Sequence, residues 1–377
     1  MGGLYIHVPF CKKKCRYCDF YSVTDDSAMP AYIQALKREM QIREWDAGPF
    51  DTVFFGGGTP SVLPPGRVAE ILERASLIYG IAPDAEVTLE ANPGTVSQSD
   101  LEAFRSAGVN RISLGVQSLD DQTLQFLGRI HSAFEARLAL DWAMEAGFDS
   151  VGCDLIYGVP GQTKKSWTKD LEGVLAYGPD HLSCYMLTIE ESTPLGLMLE
   201  RGEFSPMDEG RVGELFLHTS DFLENEGFLH YEISNFARGR EKTCRHNLHY
   251  WNHAPYLGLG PAAHSYSGET RQWNISDLDQ YLELIQAGNS AVEEEESLTT
   301  SQHMLEWLYV GLRQAKGIEA RDFLQRFGKG FLEIFGPDWK RLQDEGLAKD
   351  SSQSFALTKK GMLFSDGVCQ LLANCLE

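Results

Sequence analysis

Tyr5-Ile6-His7-Val8-Pro9-Phe10-Cys11-Lys12-Lys13-Lys14-Cys15-Arg16-Tyr17-Cys18-Asp19-Phe20 starts as a β-branched and aromatic run and breaks at Pro9 into a loop with three cysteines in eight positions. The run reads as a strand, Leu4 to Val8. Iron–sulfur cubanes normally take four thiolates, and CKKKCRYC supplies three from one loop, separated by three and two residues. One iron is then left open to chelate a small molecule. Zinc is the competing occupant, but a structural zinc wants four N or S ligands and only His7 is a nearby fourth. Cys11, Cys15 and Cys18 are the expected ligands of a [4Fe-4S] cluster with one site-differentiated iron.

Outward from that loop, the chain to about residue 190 alternates short apolar runs with longer helical patterns, the signature of βα units around a parallel sheet. Further strands are expected at Thr52 to Phe55, Glu86 to Ala91, Arg111 to Val116, Ser150 to Tyr157 and His181 to Leu187. Ser97 with Asp100, and Ser132 with Glu135, have capping-box spacing and mark helix starts. Six βα units fall short of a closed barrel's eight, so the expected fold is α/β, a partial (β/α)6 TIM-like barrel open on one side.

Barrel chemistry gathers where strands end. Gly56-Gly57-Gly58-Thr59-Pro60 follows the second strand, and glycine backbone lets N–H and C=O groups approach a ligand closely. Glu90 ends the third strand, Gln117 ends the fourth, Arg129 follows in LGRIHS, and Asp154 lies inside VGCDLIYG. Each has a plain structural role available. Glu90 could cap the turn at Pro93, Gln117 could satisfy backbone groups, and Asp154 could pair with a Lys or Arg. Together, the carboxylates suit ribose hydroxyls and the guanidinium suits a carboxylate in bidentate fashion.

Composition narrows the partners. With 33 basic and 54 acidic residues the formal charge is −21, which repels a phosphate backbone and excludes nucleic acid. No apolar run approaches the roughly 20 residues of a transmembrane segment, and MGGLYIHVPF lacks the regions of a signal peptide, so a cytoplasmic protein is expected. Eight cysteines in such a chain argue for metal or reactive thiols rather than disulfides.

CxxxCxxC after an N-terminal strand resembles the radical S-adenosylmethionine (SAM) superfamily. YIHVPFCKKKCRYCDF is similar to its oxygen-independent coproporphyrinogen III oxidase branch, and the likeness runs over nearly the whole chain. The resemblance implies SAM on the open iron, cleaved by one-electron reduction to a 5′-deoxyadenosyl radical. It also implies SAM binding by Tyr5, by Tyr17 against cluster and adenine, and by Gly57, Gly58 and Thr59 in place of the superfamily's GGE-type loop. Glu90, Gln117, Arg129 and Asp154 complete the implied set.

Two departures stand out from the oxidases of that branch. Phe20 occupies the position of a further cysteine, and only ten residues precede Cys11, so a substrate-covering N-terminal extension is expected to be absent. Cys244-Arg245-His246-Asn247-Leu248-His249-Tyr250-Trp251 contains HNLHYW, which resembles the HNxxYW motif of the branch's heme chaperones. Imidazole is a common axial ligand of heme iron, which makes His246 the candidate heme ligand, with flanking aromatics as an apolar wall. Zinc on His246, His249, His253 and Cys244, or hydrogen bonds within a packed loop, are the other readings.

The acidic run Glu293 to Glu296 reads as a solvated linker, followed by helical patterns and a small hairpin in EGLAKDSSQSFALTKKG. The expected organisation is a radical SAM core over 1–230, a barrel-covering segment over 231–295, and a small helical, winged-helix-like C-terminal domain over 296–377. The resemblance implies a heme chaperone delivering heme to acceptor hemoproteins, respiratory and membrane-associated ones included. Oxidative decarboxylation of coproporphyrinogen III is the enzymatic alternative, and another radical SAM reaction such as methyl transfer a third.

Overall fold

The first strand, β1 (Gly2–Val8), sets the period of two on which the barrel depends: Leu4, Ile6 and Val8 are fully buried in the outer core, while Gly3, Tyr5 and His7 face inward. The computed structural model describes residues 2–351 and 353–376. Parallel to β1, in sequence order, run β2 (Phe50–Gly57), β3 (Ile81–Ala91), β4 (Arg111–Gln117), β5 (Ser150–Tyr157) and β6 (His181–Met186). All six expected strands are present. The helices α1 (Met29–Ile42), α2 (Pro65–Tyr79), α3 (Gln98–Ser106), α4 (Asp121–Leu127), α5 (Ala133–Glu145) and α6 (Lys164–Leu175) connect them. Ser97/Asp100 and Ser132/Glu135 form the capping boxes that start α3 and α5.

After β6 come α7 (Pro194–Glu200), α8 (Glu209–Asn225), β7 (Leu229–Glu232), β8 (Asn235–Ala237) and α9 (Arg245–Trp251). Then follow β9 (Tyr256–Leu259), β10 (His264–Tyr266), β11 (Thr270–Asn274), α10 (Leu278–Gln286) and β12 (Val292–Ser297). The sheet runs β12-β11-β10-β9-β1-β2-β3-β4-β5-β6-β8-β7 among the described residues, with β9 parallel to β1. Residues 231–295 thus lengthen the sheet at both edges and pass α9 between them, where a covering segment was expected.

Glu293 to Glu296 is corrected outright. It lies in β12, antiparallel to β11, with Glu296 opposite Arg271 and Glu295 opposite Gln272. Arg271 neutralises Glu296, the Gln272 amide donates to Glu295, and a run of carboxylates is what protects a sheet edge from further pairing.

The remainder packs α11 (Thr300–Gly311), α12 (Ala320–Phe327), α13 (Phe331–Asp344), α14 (Lys359–Leu363) and α15 (Ser365–Ala373) around a small sheet. Its strands are β13 (Ile318–Glu319), β14 (Ala348–Asp350) and β15 (Ser354–Leu357), in the order β13-β15-β14. Phe323, Phe331, Phe335 and Trp339 are buried there, with Phe331 stacked on Phe355 at 4.2 Å between ring centroids. Among the described residues no helix is long and apolar enough to cross a membrane.

Candidate cofactor and ligand site

The cysteine loop leaves β1 and is held on three sides. Cys11 N–H donates to the Val23 carbonyl at 2.9 Å, Arg16 N–H to that of Leu127 at 3.1 Å, and Leu195 N–H to that of Arg16 at 2.8 Å. Cys15 is buried and Cys11 and Cys18 half-buried, with Cys18 N–H turning back to the Cys15 carbonyl at 3.3 Å. Arg129 Nη1 donates to Cys15 Sγ at 3.2 Å, and Cys11 Sγ lies 3.4 Å from Thr59 Oγ1. A guanidinium and a hydroxyl aimed at sulfurs suit thiolates that carry negative charge. Among the described residues no three His, Cys, Asp or Glu side chains converge as ligands of a single metal ion.

The glycine loop is laced to the cysteine loop: Gly58 N–H donates to the Val8 carbonyl and Thr59 N–H to that of Phe10, both at 2.8 Å. Gly57 has φ +104°, and a Cβ there would sit 2.6 Å from the His7 ring. A Cβ on Gly58 would sit 2.7 Å from the Phe10 carbonyl oxygen. Both positions therefore require glycine.

Opposite, Arg129 Nη2 donates to the Gly115 carbonyl at 2.7 Å and Nη1 reaches Tyr17 Oη at 3.4 Å. Gln117 adopts φ +67° at the end of β4, an unusual backbone for that residue. Its Oε1 and the Nε of Arg129 are buried without a partner. Orphaned polar atoms of this kind are normally satisfied by a ligand or water. The plain structural roles hold only in part, since Asp154 does feel the charges of Arg111 and Arg129. Asn92, not Glu90, caps the turn at Pro93; Gln117 leaves its oxygen unused; and Asp154 accepts from the Ser113 hydroxyl at 3.1 Å. These donors, carboxyls and open glycine backbone match a polar ligand with amino acid and ribose parts.

Glu90 has its pKa pushed up to about 8 by burial and then by the neighbouring Asp154, against which the Gly57 N–H works. Between the unfolded value of 4.5 and the folded one near 8, the native state keeps a proton that the unfolded chain has released. Stability from this group is full below the first value and lost as pH rises through the second. SAM-free protein should therefore lose urea resistance between about pH 5 and about pH 8.5, and Glu90→Gln should lose visibly less. Parallel curves for the two proteins would refute it.

Tyr5, Gly57, Glu90, Asp154 and His246 line one cavity of about 680 Å³ inside the barrel, walled also by Phe54, Tyr250 and Tyr256. Asp19, Phe20 and Tyr21, just past Cys18, and Tyr185 on β6 also line it. Arg129 joins Cys15 to Tyr17, Gln117 lies with it beside Gly115, and none of Tyr17, Gln117 and Arg129 is part of that wall.

The cavity floor is α9. Cys244 gives it no side-chain cap, and the carboxylate of Glu86 on β3 accepts instead from the N–H groups of Arg245 at 3.2 Å and His246 at 3.1 Å. His246 is 1% exposed, with Nδ1 2.8 Å from Thr52 Oγ1 and Nε2 2.9 Å from Tyr250 Oη. Burial lowers its pKa to about 3, so the ring is neutral. Iron ligation at Nε2 requires Tyr250 to swing away. The zinc grouping is dispersed: His249 meets Asp51 at 2.9 Å, His253 meets Glu306 at 2.8 Å, and Cys244 Sγ points to Glu86. The structure adds lining residues that no motif marks, Arg111, His181 and His264 among them. Only the inward alternation of β4, β6 and β10, known once those strands are placed, could have pointed to them.

The sequence pattern of the radical SAM superfamily matches residues 5–172, and that of the HemN C-terminal domain residues 298–364. The chain is 34% identical to the heme chaperone HemW of Synechocystis sp., with 99% of this chain and 96% of that protein covered. It is 32% identical to the heme chaperone HemW of Bacillus subtilis, with 98% of each covered. The solved coproporphyrinogen III oxidase (HemN) from Escherichia coli shares the fold, with a TM-score of 0.84 at 23% identity over 98% of this chain and 89% of that one. Radical SAM membership implies a [4Fe-4S] cluster and SAM, which the thiolate loop, the glycine cradle and the orphaned Gln117 and Arg129 atoms fit. On full-length identity and on fold, the chain belongs to the radical SAM superfamily and, within it, to the family of the heme chaperone HemW.

Proposed function

We propose that the protein is a heme chaperone, binding heme in the barrel cavity and passing it to acceptor hemoproteins. The observation that carries this reading is the cavity itself: about 680 Å³, walled by Tyr5, Phe54, Tyr250 and Tyr256, with the HNLHYW helix as its floor. A flat apolar macrocycle needs aromatic walls along its faces, which these rings supply, and the polar groups of the lining can meet its propionates. His246 contributes to the heme site from the floor, stacked at 5.1 Å on Phe54.

Cys11, Cys15 and Cys18 would hold the cluster. Tyr5, Tyr17, Gly57, Gly58, Thr59, Glu90, Gln117, Arg129 and Asp154 would hold SAM at the cavity mouth. Bound there, the pair supplies one-electron chemistry for regulation or transfer. The proposed setting is the cytoplasm, whose reducing medium suits a chain in which three cysteines are read as cluster ligands and, among the described residues, no two are bridged. Acceptors include respiratory, membrane-associated hemoproteins approached from that side.

Porphyrinogen decarboxylation is the competing activity. Phe20, 65% exposed beside the cavity mouth, stands where the oxidase pattern has a cysteine, and loss of substrate positioning can raise a barrier by several kcal/mol. Anaerobically reconstituted protein, given SAM and reductant, should retain heme through desalting and release no CO2 from coproporphyrinogen III. Protoporphyrinogen IX above background would replace the chaperone by the enzyme.

A further inference from the structure

The barrel cavity is lined by the imidazoles of His7, His181, His246 and His264, and their nitrogens differ in availability. His7 donates from Nε2 to the Tyr21 carbonyl at 2.9 Å and meets the Tyr5 hydroxyl through Nδ1 at 3.2 Å. His246 spends both nitrogens on Thr52 and Tyr250. His181 uses Nε2 on Tyr231 at 2.8 Å, and its unpartnered Nδ1 is closed in beside Gly152 in a ring only 2% exposed.

His264 is the exception. It is exposed on β10, and among the described residues neither of its ring nitrogens has a hydrogen-bond partner. Its ring stacks on Trp273 across the β10–β11 pair, 5.9 Å between centroids at 28°. The stacking orients the imidazole without consuming a nitrogen. We propose that His264 supplies the protein ligand to the iron of a heme bound in this cavity, with His246 holding the floor rather than the metal.

The proposal rests on heme binding in the barrel cavity. Partial burial and the charge of Arg271 lower the His264 pKa, so the ring is neutral at physiological pH, the form that coordinates iron. A ligand that is accessible and unbonded costs nothing to release. Ligation through His246 or His7 first breaks a buried hydrogen bond and strands its partner.

The test is a ferric heme titration of cluster-reconstituted wild type, His264→Ala and His246→Ala, followed by Soret position and affinity. His264→Ala should shift the Soret band and weaken binding by about tenfold or more. Free imidazole should restore the wild-type spectrum to His264→Ala, which no purely structural loss predicts. His246→Ala should keep the wild-type Soret position. Heme bound by His264→Ala with unchanged spectrum and affinity overturns the ligand assignment and leaves the chaperone reading standing, as does loss of the ligand signature in His246→Ala alone. Failure of the wild type to bind heme removes both.

Discussion

Cys15→Ala, reconstituted anaerobically with iron and sulfide, should hold almost no cluster, against about four irons and four sulfides per chain in the wild type. Cys15 is the buried member of the three and receives the Arg129 guanidinium at 3.2 Å, so its loss removes a thiolate and leaves a buried cation without its anion. Two thiolates from one loop do not hold a cubane that already lacks a fourth. Cys153→Ala and Cys184→Ala are the controls: both thiols are buried within β5 and β6, and both proteins should reconstitute fully. Wild-type iron and sulfide content in Cys15→Ala would end the cluster assignment.

The second large effect is expected at Glu39, remote from any motif. It lies in α1 with no exposed surface, and its carboxylate accepts from Gly260 N–H and Tyr281 Oη at 2.8 Å and from Asn274 Nδ2 at 2.6 Å. Burial pushes its pKa up, and those three donors oppose the rise. Through them a single side chain fastens α1 to the turn after β9, the end of β11 and α10, and so holds the sheet extension that carries His264. Glu39→Ala strands three buried donors and should cost about 3–5 kcal/mol in a urea unfolding series. A loss below about 1 kcal/mol would mean that the edge is held by its strand pairing instead.

Several features of this protein are written in short stretches of chain. The thiolate spacing in CKKKCRYC, the glycines after β2, the capping boxes at Ser97 and Ser132, and the alternation of the six barrel strands each need only a few consecutive residues. Short-range sterics and hydrogen bonding decide them. Glu90, Gln117 and Asp154 were legible as candidates because strand ends of a parallel barrel share one mouth.

What needed the tertiary structure is long-range. Glu293 to Glu296 looks solvated until Arg271 and Gln272 are placed opposite it as a strand partner. Glu39 is marked by no motif, and its donors come from 221 to 242 positions away. His246 carries the motif, but Thr52, 194 positions earlier, takes one of its nitrogens, while His264 in the unremarkable PAAHSY is left with both. Composition and periodicity report what each residue prefers locally. Which imidazole is free, and which carboxylate is buried, follows from packing partners that the chain brings together only when the sheet is complete.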